Sequence, residues 1–164
     1  LFLLDKLLKE SGRSLKDWPV MPLPLKDWDA EINNPLIAKQ LDYDRDAERA
    51  RAEEQIPKLN TEQRAAFDKI VASVRENLGK TYFLHGPGGT GKTFVYETCC
   101  HRLRSEEHIV LCVASSGISA LLLPGGRTSH SMLKIPVEGI NAQSFCSIPK
   151  NSPRADLLRR ATLI

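Results

Sequence analysis

The chain has 164 residues, of which 41% are hydrophobic and 26% charged, with a formal net charge of +3. That length can bury one real core, and the balance excludes a disordered or fibrous chain. The longest apolar runs, residues 109–115 and 121–124, are too short to cross a bilayer, so no membrane partner is expected.

Leu3, Leu4, Leu7 and Leu8 fall on one face of a short helix that Gly12 ends. No signal peptide is read there, because Asp5, Lys6, Lys9 and Glu10 follow the opening leucines and no basic stretch precedes them. Pro19, Pro22 and Pro24 predict an extended link over residues 18–28. Residues 35–54 predict a charged helix whose Asp, Arg and Glu run is a solvated face.

A second helix carries Phe67, Ile70, Val71, Val74 and Leu78 as one buried stripe, with Asn60 as N-cap and Gly79 as C-terminal stop. Strand, loop, helix, strand and helix then follow: a strand over 81–85, a helix over 93–104, a strand over 109–115 and a short helix over 117–123. Alternation of this kind predicts parallel pairing with right-handed crossovers. Residues 137–153 are polar and show no period.

Residues 1–58 carry 10 basic and 12 acidic residues, and residues 59–164 carry 13 and 8. A mildly basic back half is compatible with a phosphate-rich partner. Cys99, Cys100, Cys112 and Cys146 lack the paired spacing of a zinc site and read as reduced thiols of an intracellular protein.

The chemistry is concentrated in Gly86, Pro87, Gly88, Gly89, Thr90, Gly91, Lys92 and Thr93, which match GxxxxGK[ST] at every fixed position. Glycine lets successive N–H groups converge on phosphates, and the helix that follows aims its positive end at the same place. Lys92 reaches the β- and γ-phosphates, and Thr93 offers its hydroxyl to Mg²⁺, so these two are the candidate catalytic residues and Thr93 the candidate metal ligand. The expected cofactors are a nucleoside triphosphate, ATP, and Mg²⁺. Such a loop defines a site and not a reaction.

Gln63 stands 23 residues before Gly86. Its amide can pair with an adenine edge, and Asn60-x-x-Gln63 is equally a capping box. Taken in order, Leu59-Asn60-x-Glu62-Gln63, GPGGTGKT, Val113-Ala114-Ser115-Ser116-Gly117-Ile118-Ser119-Ala120 and Gly126-Arg127-Thr128-Ser129-His130-Ser131 resemble the Q motif, Walker A and motifs Ia and Ib of the Pif-one family of DNA helicases. The Helitron-like branch is the most similar, because its pre-helicase stretch also has a link like Met21–Pro24.

The resemblance implies an ATP-dependent 5′-to-3′ helicase of superfamily one, acting on single-stranded DNA and a duplex junction in the nucleus. It implies that Gln63 reads adenine, and that Ser115, Ser116, Gly117, Thr128, Ser129 and His130 line the strand path. Arg127 is the one arginine within a motif. Small hydroxyl residues at strand ends hold phosphates without reading sequence. His130 can stack on a base or stand as an ordinary polar loop residue. The Ser115–Ser119 stretch reads equally as a helix start with a serine cap.

The implied fold class is α/β: an incomplete P-loop NTPase (RecA-like) motor domain with parallel strands over 59–164, preceded by a mostly helical, Pro-rich segment over 1–58. Between Thr93 and Ile164 no apolar run ends in Asp-Glu, so the Walker B strand is expected to begin at Ala161-Thr162-Leu163-Ile164 and to continue past a cut. Another P-loop ATPase, with Gln63 as a cap only, and a non-catalytic nucleotide-binding remnant are the alternatives, and oligomeric state is left open.

Overall fold

The computed structural model describes residues 34–164 together with Leu8, Trp18 and Val20. The leucine-faced helix of residues 1–12 and the proline link of 18–28 otherwise lie outside the described residues. Helix α1 spans Pro35–Leu41, with Pro35 in the first turn and Asn34 accepting from the Leu36 N–H at 3.1 Å. Helix α2 spans Arg45–Gln55. The single helix predicted over 35–54 is broken because Asp44 folds its carboxylate onto the N–H groups of Asp46 and Ala47, a cap that starts a new helix.

A 3-10 turn, Ile56–Lys58, leads into α3, Thr61–Arg75. The apolar stripe of α3 buries Phe67 and Val71, but Leu78 is exposed. The helix ends before Gly79. Asn77 takes a left-handed φ of 51°, and the Leu78 N–H reaches the Ser73 carbonyl at 2.9 Å, so Asn77 is the turning residue.

Helix α4 spans Lys92–Ser105 and is the most buried element of the chain. It closes in the same way: Glu107 takes φ 66° and the His108 N–H bonds the Leu103 carbonyl at 3.0 Å. The chain then doubles back along the helix. Leu103 and Val110 share one core cluster, and the Cys100 and Cys112 sulfurs lie 3.5 Å apart. Falling helix numbers meet rising strand numbers, so helix and strand run antiparallel.

Strand β1, Val113–Ala114, pairs in parallel with β2, Arg127–Thr128, in the register Val113 to Arg127 and Ala114 to Thr128. Of the strand predicted over 109–115 only 113–114 is strand; upstream in the same run, residues 109–114, Val110 makes an isolated parallel bridge to Leu163 on the other side. The parallel pairing expected from the alternation is present, and residues 162–163 enter it as extended chain.

Helix α5, Gly117–Leu121, is shorter than the predicted 117–123, and α6 spans Ser129–Leu133. Gly126 lets this crossover close: a Cβ there would meet the Ala120 carbonyl oxygen at 2.2 Å. A helix unforeseen in the sequence, α7, spans Pro153–Arg160, where Ser152 caps the Ala155 N–H and Pro153 opens the first turn.

Residues 81–85 form no strand, contrary to the sequence expectation. A strand needs a partner ladder, and among the described residues none is exchanged here, leaving Phe83 89% exposed. Leu84 still packs on the core, and Tyr82 faces Thr162 and Leu163 across a shallow cleft. No helix among the described residues is long and apolar enough to cross a membrane.

Two apolar clusters cover the two faces of the central strand run. Val95, Cys99, Cys100 and Leu103 of α4 meet Phe67, Val71 and Val110 on one face; Ile37, Met132 and Leu157 meet Ile109 and Leu111 on the other. Each such large side chain stabilises the fold by about 1.5–3 kcal/mol on burial. Leu103 is fully buried, so Leu103→Ala removes contacts that nothing can refill. Its unfolding free energy falls by roughly 2–5 kcal/mol in urea denaturation.

At the surface, Arg75 of α3 and Arg102 of α4 both grip Glu106, at 2.5 Å each. The Arg75 hydrogen bond holds the Glu106 carboxyl below its ordinary value of 4.5, against partial burial. A depressed acid contributes stability that is present above its unfolded pKa and is lost as pH falls through the folded one. Glu106→Gln therefore lowers the urea midpoint at neutral pH and leaves it unchanged at a pH where the carboxyl is protonated in both states.

Candidate functional site

Residues 86–93 leave the extended segment and turn into α4. Gly91 is the N-cap of α4 in the left-handed region at φ 76°, which a side chain disfavours. A Cβ there would also sit 2.5 Å from the Gln63 amide nitrogen, so both space and conformation require glycine. Gly89 shares the positive φ, at 77°.

The result is an open cradle of donors. Backbone N–H groups of residues 88–94 donate to no protein group among the described residues, and the first to do so is Val95, to the Gly91 carbonyl at 3.2 Å. Unsatisfied N–H groups at a helix start, added to the positive end of a helix of 14 residues, make an anion site. Pro87, Gly88, Gly89, Thr90 and Thr93 are exposed, so the cradle faces solvent.

Two groups hold the loop in shape. The Lys92 ammonium turns back on it, donating to the carbonyls of Gly86 at 2.7 Å and Pro87 at 2.8 Å. The Thr90 hydroxyl donates to the Pro87 carbonyl at 2.9 Å.

Gln63 acts from α3. Its Oε1 accepts from the Asn60 N–H at 3.0 Å while the Asn60 side chain accepts from the Gln63 N–H at 2.9 Å, a complete capping box. Its Nε2 donates to the Thr90 carbonyl at 3.0 Å, across 27 residues of sequence. The cap reading of Gln63 is therefore realised, and the same amide ties α3 to the phosphate loop.

The sites beyond the loop gather at one edge. Because Ala114 pairs with Thr128 in parallel, both strands end side by side. Ser115 and Ser116 follow one strand, and Ser129 and His130 follow the other. Ser116 caps α5, accepting from the Ser119 N–H at 3.2 Å, and Gly117 is the first residue of that helix. Thr128 caps α6, accepting from the Ser131 N–H at 3.3 Å, and His130 lies on α6, not in a loop. Ser115, Ser116 and Gly117 are exposed; Thr128, Ser129 and His130 are half-buried. Antiparallel packing of α4 on the strand sends the Lys92 end of that helix toward this same edge.

Sequence reasoning missed two supports. Arg154 of α7 caps the end of α6, donating to the carbonyls of Ser131 at 3.2 Å and Met132 at 2.9 Å. The Ser152-Pro153 pair was the signal for its helix. The charged run of α2 is also not wholly solvated: Glu48 is buried against His101 at 2.8 Å, and Gln55 accepts from Thr98 at 3.1 Å, so α2 is bonded to the helix that carries the loop.

A glycine cradle of free N–H groups, a lysine within reach and a following helix, set beside parallel strands, define a P-loop NTPase. A model of the family described as PIF1-like helicase matches residues 58–164. The chain belongs to the PIF1-like helicase family. No curated protein matches it.

Asn60 anchors both halves of the capping box, so Asn60→Ala costs about 1 kcal/mol of stability, read as a lower urea midpoint.

Proposed function

We propose that the chain supplies the ATP-binding loop and the first DNA-contacting motifs of a motor that unwinds DNA 5′-to-3′ with energy from ATP hydrolysis. The observation that carries this reading is the row of free N–H groups over residues 88–94 with Lys92 folded beside it.

On binding, phosphate oxygens take the free N–H groups, and Lys92 exchanges its bonds to the Gly86 and Pro87 carbonyls for the β- and γ-phosphates. A triphosphate carries Mg²⁺ with it, and Thr93, exposed in the first turn of α4, supplies a hydroxyl oxygen to that ion. The adenine is read by Gln63. Two of its four hydrogen-bonding positions are committed, to Asn60 and Thr90, which leaves one N–H and one lone pair for the base.

DNA runs over the edge where β1 and β2 end. Ser115, Ser116 and Gly117 on one side and Thr128, Ser129 and His130 on the other hold backbone phosphates without reading bases. The two sites communicate through α4 and the strand that doubles back along it. This reading takes residues 59–164 as motor and residues 1–58 as extension.

The test is titration of a fluorescent ATP analogue with Mg²⁺ and, separately, of a labelled single strand. Lys92→Ala weakens the analogue by roughly 10- to 100-fold, the worth of a charge-assisted hydrogen bond, while far-ultraviolet dichroism is unchanged. Gln63→Ala brings ATP and GTP affinities together, and His130→Ala with Ser116→Ala weakens the single strand alone. Equal nucleotide affinity in Lys92→Ala sinks the reading. Retained affinity with no ATP preference lost in Gln63→Ala reduces Gln63 to a cap.

A further inference from the structure

Cys100 on α4 and Cys112, the residue before β1, bring their sulfurs to 3.5 Å, across 12 residues of sequence. Each is a free thiol, as are Cys99 and Cys146. Cys100 is 1% exposed and Cys112 half-buried, so a reagent reaches the pair only through Cys112.

Arg104 lies one helical turn after Cys100 and is 3% exposed. Its guanidinium covers the Tyr43 ring at 3.9 Å and donates one bond, from Nη2 to the Val110 carbonyl at 3.2 Å. Nε and Nη1 have no hydrogen-bond partner among the described residues. Standing one turn from Cys100 on the same helix, the cation is near enough for its charge to favour the ionised form of both thiols. A buried arginine without a carboxylate partner is costly, and a thiolate beside it offsets that cost.

The groups facing the pair are Tyr43 and Glu48 from the α1–α2 segment and Arg104 and Glu97 from α4, the last opposing ionisation of Cys112. The Glu48 carboxylate opposes ionisation but is hydrogen-bonded to His101. The shared hydrogen bond with Cys100 lowers the Cys112 thiol from its usual value, and Arg104 adds to this against burial. The same bond and burial raise Cys100, which keeps its proton. Cys99, one residue away, has no such neighbour and burial pushes its thiol up to about 12. Of Cys99, Cys100 and Cys112, the last is therefore set to attack, with Cys100 in reach to resolve it.

We propose that Cys100 and Cys112 form a redox-active dithiol that a low-molecular-weight disulfide oxidises to an internal disulfide joining α4 to the strand leading into Ser115. The Cys112 thiolate attacks one sulfur of the reagent RSSR, whose S–S bond breaks and releases RS⁻. Cys100 then attacks the Cys112 sulfur of the mixed disulfide, giving up its proton as the second RS⁻ leaves. Two protein thiols are oxidised and one RSSR is reduced to two RSH. Closing the bond draws the sulfurs from 3.5 Å to about 2.05 Å.

The site lies outside the nucleotide cradle and the strand-end edge. Its product would fix the segment through which we connect them, and so rests in that consequence on the proposed function; the chemistry itself does not.

The experiment treats the full chain carrying Cys146→Ser with oxidised glutathione at neutral pH, without denaturant, and maps the products by peptide mass spectrometry. The expected result is loss of two hydrogens, a linked peptide pair joining Cys100 to Cys112, and a higher thermal midpoint that falls back on reduction. Adding Cys100→Ser halts the reaction at a glutathione adduct on Cys112, and adding Cys112→Ser leaves Cys100 and Cys99 unmodified. A link that forms only in urea, a stable adduct in place of the link, or no reaction overturns the proposal. Nucleotide affinity of the oxidised protein separates the two claims: an unchanged value with the link formed removes the coupling role and leaves the dithiol standing.

Discussion

Packing of α4 against the strand run 109–114 is the contact from which the rest of the structure takes its position. Val95, Cys99, Cys100 and Leu103 are removed from water by that face together with α3. Because the turn at Glu107 reverses the chain, the packed pair is antiparallel, and the helix start comes to the edge where the strands end. Parallel pairing of β1 with β2 adds a second strand end to that edge. The chemistry is thus gathered by topology, as in other open α/β sheets where ligands sit at the carboxyl ends of strands.

The same helix is held from its other side by residues outside the family match. Helix α2 carries Ala52 at full burial and spends Glu48 on His101 and Gln55 on Thr98. A buried carboxylate and imidazole at 2.8 Å stabilise little in net terms, since each loses its water, but removing one leaves the other unpaired and destabilises strongly. The pair ties one turn of α2 to one turn of α4, the helix whose first turn faces the cradle.

How much of this was legible follows from what each signal rests on. The capping box at Asn60 and Gln63 and the serine cap at Ser116 are local, set by residues three apart, and each stands as read. The parallel sense of pairing followed from alternation of elements. Residues 81–85 failed because a strand is a property of two segments, and apolar letters in one cannot supply the other. Leu78 failed for a subtler reason: it keeps the helical period, but Asn77 turns left-handed before it, and an asparagine does so on demand of the tertiary setting. Glu48, Arg104 and the sulfur pair were beyond reach for the same reason as the missing strand. Glu48 meets its partner 53 residues away, the sulfurs meet across 12, and Arg104 lies over the ring of Tyr43 from the α1–α2 segment, so nothing in their own neighbourhood marks them.

Gln63 shows why a structural and a functional reading of one residue need not compete. An amide offers two N–H groups and two lone-pair positions, and the cap and the Thr90 carbonyl take one of each. What remains is one donor and one acceptor on a half-buried side chain whose rotamer is already fixed by its other two bonds. The ordering entropy that a flexible glutamine would lose on meeting a base has been lost on folding. Because one of those fixing bonds goes to the phosphate loop itself, any shift of residues 90–92 on filling the cradle is felt at the amide. The cap is therefore what would make Gln63 a good reader, holding it at a set distance from the phosphates and aligned before any ligand arrives.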